Sequence, residues 1–147
     1  EVNIRAYDER MMGDDLQNII NESDLIIDAT DNLSSRLQIN EASHKANAIH
    51  IVGTAIRFEG QVMAFNHQSI NPCLSCIYSL FDENLEDCDG AGVLSTVAGT
   101  IGLLMANTAL KAIIGDDVFN EMLALDLKNN SIHRISIKKS DNCDICI

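Results

Sequence analysis

Four of the five cysteines form two C-x-x-C pairs that lie far apart in the chain. Cys73 and Cys76 make the first pair, and Cys143 and Cys146 make the second. Each C-x-x-C turn directs two thiolates toward one point, and two such turns complete the tetrahedral ligand set that zinc prefers. The spacing predicts a structural zinc site that closes a large loop of the chain. Because four protein ligands would close the site, we expect no catalysis at this metal.

Two other uses of these cysteines compete with zinc. A disulfide framework is typical of shorter, secreted chains with a higher cysteine content. A thioredoxin-type redox motif would explain one pair and leave the other unexplained. Zinc-bound thiolates also imply a reducing compartment, so we expect a cytoplasmic protein in which the fifth cysteine, Cys88, persists as a free thiol.

A second group of polar residues follows a short apolar run. Residues 24–28 have the pattern of a buried parallel strand, and residues 29–32 read Ala-Thr-Asp-Asn. We call residues 28–32 the acidic turn. In an open parallel sheet, ligands bind beyond the carboxyl ends of the strands, where a carboxylate can hold Mg²⁺ and neutralise nucleotide phosphates. The alternative is that Asp31 or Asn32 only caps the helix that follows.

Apolar periodicity predicts the elements that would carry these groups. The expected strands cover residues 3–7, 24–28, 49–55, 61–65, 121–127 and 132–137. The expected helices cover residues 14–22, 33–47 and 91–110, and the acidic segment 79–89 is expected to be a loop. The β-α-β-α-β order of the first half predicts a parallel sheet with helices on its faces, and the last two strands predict an antiparallel hairpin. The sequence thus predicts one α/β domain over residues 1–147.

Residues 91–110 form a run of twenty residues without a charged side chain, which is long enough to span a bilayer. Five of these side chains carry a hydroxyl or an amide group, which makes the run too polar for a confident span. Its glycines and alanines suit close packing against another helix or subunit. We therefore expect a core helix that also reaches a dimer interface.

The net charge argues against two classes of partner. Ten lysines and arginines against 22 aspartates and glutamates give a formal charge of −12. A protein that binds nucleic-acid duplexes needs a cationic stripe that displaces counterions, and none is present in the sequence. An anionic membrane surface is disfavoured for the same reason.

The order of these motifs resembles the MoeB/ThiF/HesA family, whose members are relatives of the ubiquitin-activating enzymes. The residues that carry the resemblance are 24–32 with Arg36 and Asn40, 53–61, 72–76, 88–93, 109–111 and the pair Cys143 and Cys146. The resemblance covers nearly the whole chain and implies a Rossmann-like, mostly parallel sheet. The family's glycine-rich nucleotide loop lies before the segment with which this chain starts. The resemblance therefore implies the C-terminal part of the domain, without its first β-α-β unit.

The resemblance also implies an activity. Family members use Mg·ATP to adenylate the C-terminal carboxylate of a ubiquitin-like sulfur carrier protein, for sulfur transfer in thiamin or molybdopterin synthesis. By motif, Asp31 would be the catalytic carboxylate that holds Mg²⁺ and ATP, and Asn32 and Arg36 would support it near the nucleotide. Cys88 would be the catalytic thiol that accepts the activated acyl group or a persulfide. The four paired cysteines would hold structural zinc.

The sequence leaves alternatives to this function open. The acidic neighbours of Cys88 disfavour its thiolate form. The alternative interpretation is therefore that Cys88 is a loop thiol without a function. Because the phosphate-binding loop is missing, we expect the isolated chain to be inactive, and a non-catalytic, zinc-stapled module that binds a ubiquitin-like partner is the alternative function. A nicotinamide-dependent dehydrogenase would need a glycine fingerprint that this sequence lacks.

Overall fold

The computed structural model describes residues 1–68, 70–78 and 92–146. The helices are α1 (Gly13–Asn21), α2 (Leu33–Ala46), α3 (Leu74–Tyr78) and α4 (Ser95–Ile113). The strands are β1 (Leu25–Asp28), β2 (Ile49–Ile56), β3 (Glu59–Phe65), β4 (Glu121–Asp126) and β5 (Ser131–Ser136). The predicted elements from residue 14 to 65, and the C-terminal hairpin, are confirmed within a few residues at each end.

The five strands form one sheet in the order β1-β2-β3-β4-β5. β1 and β2 are parallel, with Leu25 opposite Ile49, because α2 supplies the long crossover that a parallel pair needs. The other three pairs are antiparallel. The α/β class and the antiparallel addition are confirmed, but the parallel part of the sheet is smaller than predicted. The reason is that the predicted strand at residues 3–7 is absent, which leaves β1 and β2 as the parallel pair among the described strands. Arg57 and Phe58 join β2 to β3 as an antiparallel hairpin, because so short a connection cannot make a parallel crossover.

The predicted strand at residues 3–7 is wrong. Residues 1–12 contain no helix or strand, and the side chains of Val2 and Ile4 are 87% and 86% exposed. A strand is stable only where a neighbouring strand pairs with its backbone groups. In the described part of the chain β1 pairs only with β2, and residues 3–7 do not pair with the free edge of β1. The alternating side chains of this segment favour a strand, but this preference alone does not form one without a pairing partner.

The two faces of the sheet bury separate cores, since successive residues of a strand point to opposite faces. The core on one face contains Ile51, Val62, Ala64 and Leu125 of the sheet and Val97, Ile101, Met105 and Ala109 of α4. The core on the other face contains Val52, Met63, Phe65 and Leu74. Because Leu74 belongs to α3, this second core fixes the first cysteine pair against the sheet.

The apolar helix α4 covers the sheet with one face only. Gly53 and Gly60 let the helix approach closely, because a Cβ atom at these positions would collide with Met105 and Ile101. By length and composition α4 could also cross a membrane. The predicted core helix is confirmed, but its outer side is open, with Leu103 being 76% exposed.

Candidate functional site

The two cysteine pairs meet in space although 70 positions separate their members. All four sulfurs are buried and lie within 4.8 Å of one another. The Cys73 and Cys143 sulfurs are 3.6 Å apart, and those of Cys76 and Cys146 are 3.2 Å apart. Disulfide sulfurs lie about 2.05 Å apart, so these thiols are not bridged. Sulfurs around a tetrahedral zinc, at about 2.3 Å from the metal, lie about 3.8 Å from one another. The predicted convergence is confirmed, and the cluster could hold a metal ion.

The protonation of these thiols differs within the cluster. Burial raises the pKa of Cys73, although the side-chain amide of Asn40 opposes this effect. Burial also acts on Cys143, but there the backbone amides of Cys146 and Ile145 outweigh it and lower the pKa to about 7. One thiol is therefore close to ionisation at neutral pH, and a bound cation would favour the thiolate form of the others.

The structure assigns different roles to Asp31 and Asn32, for which the sequence left both helix capping and ligand binding open. The Asn32 side chain caps α2, because its Oδ1 accepts a hydrogen bond from the Ser35 amide at 2.9 Å. Asp31 takes no part in this cap, and its exposed carboxylate accepts a hydrogen bond from Asn32 Nδ2 at 3.1 Å. This bond first, then a hydrogen bond from the backbone amide of Asp31 itself, and then the charges of Arg36 and Arg10 lower the pKa of Asp31. The carboxylate is therefore ionised and available to a cation or a ligand.

The other aspartate of the turn faces inward. Asp28 is buried, and its Oδ1 accepts hydrogen bonds from the Thr30 amide at 3.0 Å and from the Thr30 hydroxyl at 2.7 Å. His50 Nε2 lies 3.4 Å from Asp28 Oδ2. Burial would raise the pKa of Asp28, but the hydrogen bonds from His50 and Thr30 outweigh it and lower the pKa. Asp28 thus fixes the conformation of the turn from inside the fold.

Arg36 holds the turn from the side of α2. Its Nη2 donates a hydrogen bond to the Thr30 carbonyl at 2.6 Å, and its Nε is buried without a partner in the described part of the chain. Arg10, which sequence reasoning missed, donates to the Ser35 hydroxyl at 3.1 Å beside the helix cap. No motif or periodicity could have found Arg10, because it lies in the non-helical segment 1–12.

A cavity of 370 Å³ opens beside the acidic turn. Asp31 and Arg36 line this cavity. Other residues of its wall are Thr54 of β2, Ile101 of α4, and Val93, which precedes α4. The cavity lies beyond the carboxyl end of β1 and beside the C-terminal half of β2, near the sheet edge where open α/β sheets bind their ligands. Its volume is in the range of small-molecule pockets. The structure therefore places the predicted residues Asp31 and Arg36 on the wall of one ligand-sized cavity, whereas Asn32 does not line it and caps α2.

Cys88, the predicted acceptor thiol, and the predicted loop 79–89 lie outside the described residues. The role of Cys88 therefore stays a prediction.

Three histidines that sequence reasoning missed lie close together, and one of them, His50, contacts Asp28 of the acidic turn. The ring centroid of His67 lies 5.3 Å from that of His44 and 6.0 Å from that of His50. His67 is 5% exposed, and neither of its ring nitrogens has a hydrogen-bond partner in the structure as described. Burial first, and then the charges of His50 and His44, lower the pKa of His67 to about 3.

The low pKa of His67 predicts a loss of stability in mild acid. An unfolded chain protonates His67 near pH 6.5, whereas the folded chain does so near pH 3. Between these values the unfolded state binds more protons, so stability falls by up to about 1.4 kcal/mol per pH unit as the pH decreases. In the variant His67→Phe, the free energy of unfolding should fall about 2 kcal/mol less between pH 7 and pH 5 than in the wild type. Urea unfolding at the two pH values measures this difference.

His133 supplies the matched control, because its side chain lies exposed on β5. The variant His133→Phe should keep the wild-type dependence on pH. An unchanged pH dependence in His67→Phe would contradict the burial of His67 as a neutral base.

Comparisons with known proteins agree with this arrangement. The sequence pattern of the ThiF family matches residues 1–145. The molybdopterin-synthase adenylyltransferase of Salmonella typhimurium is 31% identical over 147 residues, which cover 99% of this chain and 59% of that protein. The sulfur carrier protein ThiS adenylyltransferase of Escherichia coli is 27% identical, with the same coverage of both chains.

The solved structures give the fold. The crystal structure of E. coli MccB with selenomethionine MccA superposes with a TM-score of 0.69 at 16% identity, over 99% of this chain and 44% of MccB. At this identity, the likeness to MccB concerns the fold alone. The chain spans about three fifths of the length of the two adenylyltransferases. Since the family pattern covers nearly every residue, the chain belongs to the ThiF family.

Proposed function

We propose that this chain is the C-terminal part of an enzyme that uses Mg·ATP to adenylate a ubiquitin-like sulfur carrier protein. The reaction occurs at the carrier's C-terminal carboxylate and serves sulfur transfer in thiamin or molybdopterin biosynthesis. The observation that carries the proposal is the Asp31 carboxylate, which is left out of the helix cap and lines the cavity beside the acidic turn. The names of the relatives from Salmonella and E. coli support the substrate class.

The site residues suit this chemistry. A carboxylate is a poor electrophile until its oxygen attacks the α-phosphorus of ATP, which forms the acyl-adenylate and releases pyrophosphate. An ionised, exposed carboxylate such as Asp31 is the hard oxygen ligand that Mg²⁺ prefers, and Mg²⁺ bound there would offset the charge of the phosphates. Asn32 keeps the start of α2 in place, and Arg36 orients the turn through the Thr30 carbonyl. In this proposal Cys88 then accepts the acyl group from the adenylate, and AMP leaves.

The cysteine cluster suits a structural zinc ion in a reducing, cytoplasmic compartment. Four buried thiols are the soft donor set that zinc takes in closed sites, and they leave no position for a substrate. Cys143 and Cys146 would thereby hold the segment after β5 against α3. The proposed role of zinc is to stabilise the domain, and the chemistry takes place at the acidic turn.

A homodimer is the second partnership that we propose. The outer face of α4 carries the exposed side chains of Leu103, Leu110 and Ile113. In the same helix, a Cβ atom at Gly99 would meet nothing within 4 Å, and the absence of a side chain there allows a second helix to approach closely. Contiguous exposed apolar surface of this kind is typical of protein–protein contacts.

The variant Leu103→Glu should dissociate this dimer. In a two-fold interface the substitution buries two carboxylates, so the dissociation constant should rise at least about 100-fold. Sedimentation velocity of the full-length protein across a concentration series measures the change. Ile132 on β5 is also apolar and 59% exposed, so Ile132→Glu is the matched control and should leave the dimer intact. A monomeric wild type, or an unaffected Leu103→Glu dimer, would exclude this face.

The proposed activity is tested by exchange of pyrophosphate into ATP. The full-length protein should catalyse Mg²⁺-dependent exchange only when a carrier with a free C-terminal carboxylate is present. The same carrier with an amidated C-terminus should support none, because it has no oxygen nucleophile. Binding of the carrier without any exchange would instead establish the non-catalytic module, and neither binding nor exchange would exclude both functions.

A further inference from the structure

The first cysteine pair is attached to α2 by one buried side chain. Asn40 is fully buried in α2, 33 positions before Cys73. Its Oδ1 accepts a hydrogen bond from the Leu74 amide at 3.0 Å, and its Nδ2 donates to the Ser75 hydroxyl at 3.0 Å. The same Nδ2 lies 3.6 Å from Cys73 Sγ, within the range of an N–H···S hydrogen bond. These three contacts involve three consecutive residues of the C-x-x-C turn.

The orientation of this amide follows from its partners. The Leu74 backbone N–H can only donate, so the atom that faces it must be the Asn40 oxygen. The two N–H groups of the amide are then directed to the Ser75 hydroxyl and to the Cys73 sulfur. A carboxylate would lack both donors, and an aliphatic side chain would lack all three groups.

We infer that Asn40 is a positioning residue of the metal site, where its amide orients the Cys73 thiolate and shields part of its charge. The inference rests on the proposed zinc site. Four thiolates around Zn²⁺ leave two excess negative charges inside the fold, and an N–H donor to one sulfur stabilises that charge. Partners outside the ligand set that orient metal ligands commonly contribute 10- to 100-fold to metal affinity.

The same helix connects the metal site with the acidic turn. Arg36, one helical turn before Asn40, binds the Thr30 carbonyl, while Asn40 binds the cysteine pair. α2 therefore lies between the two sites and is held at both by buried polar side chains. This connection gives a physical reason for an asparagine at a position where an apolar residue would pack without the cost of burying an amide.

The test measures the zinc affinity of the full-length protein in two Asn40 variants. In Asn40→Asp the Leu74 contact is retained but the donor to Cys73 is lost, and in Asn40→Leu all three contacts are lost. Competition with a chromophoric chelator should show zinc affinity about 10- to 100-fold lower in both variants. The thiolate-to-cobalt charge-transfer band of the Co²⁺-substituted protein should also shift in both, because the electron density on Cys73 changes.

Ser75→Ala is the matched control, since it removes one partner of Asn40 and leaves the N–H that faces Cys73. Its zinc affinity and cobalt spectrum should stay close to the wild type. An Asn40→Leu protein with a wild-type circular dichroism spectrum, zinc affinity and cobalt band would overturn the inference. If both Asn40 variants fail to fold, ¹¹³Cd-substituted wild type decides, because scalar coupling between the metal and an Asn40 amide proton supports the inference and its absence overturns it. A wild type that holds no zinc would refute the metal site itself, and with it this inference, but not the adenylation that we propose.

Discussion

Replacing Asp31 with asparagine should lower the rate of Mg²⁺-dependent pyrophosphate exchange at least about 100-fold. The substitution keeps the size of the side chain but removes the charge that would hold Mg²⁺ beside the phosphates. Losing one preorganised electrostatic contact of this kind typically lowers kcat by a factor of about 10² to 10³. Exchange by the full-length protein, measured over a range of Mg²⁺ concentrations, should show a lower maximal rate and a weaker dependence on Mg²⁺.

The structure separates this effect from a loss of stability. Asn32 caps α2 and Asp31 does not, so thermal unfolding of Asp31→Asn should stay close to the wild type. Asp126 offers a matched control at the other end of the sheet. It is also a carboxylate at the end of a strand, and its pKa is lowered mainly by the Asn129 side chain in a tight turn. Asp126→Asn should leave exchange unchanged. Wild-type exchange in Asp31→Asn would remove Asp31 from the catalytic site.

The acidic turn could be predicted because its residues are contiguous. A buried strand, a short polar sequence and a helix place these side chains at the carboxyl end of the sheet whatever the rest of the chain does. The choice between Asp31 and Asn32 as the cap could not be predicted, since both residue types cap helices equally well. It depends on where α2 starts, which places the Ser35 amide above Asn32.

Contacts between distant parts of the chain could be predicted only where a chemical rule requires them. The meeting of the cysteine pairs could be predicted because zinc chemistry requires four ligands, however far apart they lie in sequence. No such rule connects Asn40 with Leu74, or places His67 among other rings, because these contacts arise only when α2 and the sheet pack together. The segment 3–7, which was predicted as a strand and forms none, shows the same dependence, since a strand needs a pairing partner as well as the right residue types.

The direction of β3 relative to β2 follows from the length of the connection between them. Only Arg57 and Phe58 separate the strands, and Arg57 has a positive φ of 51°. A short connection with a left-handed residue is typical of a hairpin and excludes a parallel crossover. Periodicity locates strands but does not give their direction, whereas the length of a connection does. The same reasoning correctly predicted the hairpin of β4 and β5, where Asn130 has a positive φ of 55°.

Replacing Cys146 with serine should abolish zinc binding and destabilise the domain by more than about 4 kcal/mol, as losses of structural metals commonly do. Serine stays protonated at neutral pH and is a poor zinc ligand, so three thiolates would remain around an open position. The free energy of metal binding is coupled to folding, because the four sulfurs meet only in the folded chain. Zinc content by mass spectrometry of the native protein, and urea unfolding, measure the two effects.

A chelator distinguishes loss of the metal from loss of packing at Cys146. If zinc is the staple, the chelator should destabilise the wild type by nearly as much as Cys146→Ser does, and it should have no further effect on the variant. Cys88→Ser, which alters the cysteine that belongs to neither pair, should keep its zinc and its sensitivity to the chelator. Equal stability of the wild type with and without chelator would contradict the role of zinc, because the second cysteine pair would then hold the C-terminal segment against α3 through packing alone.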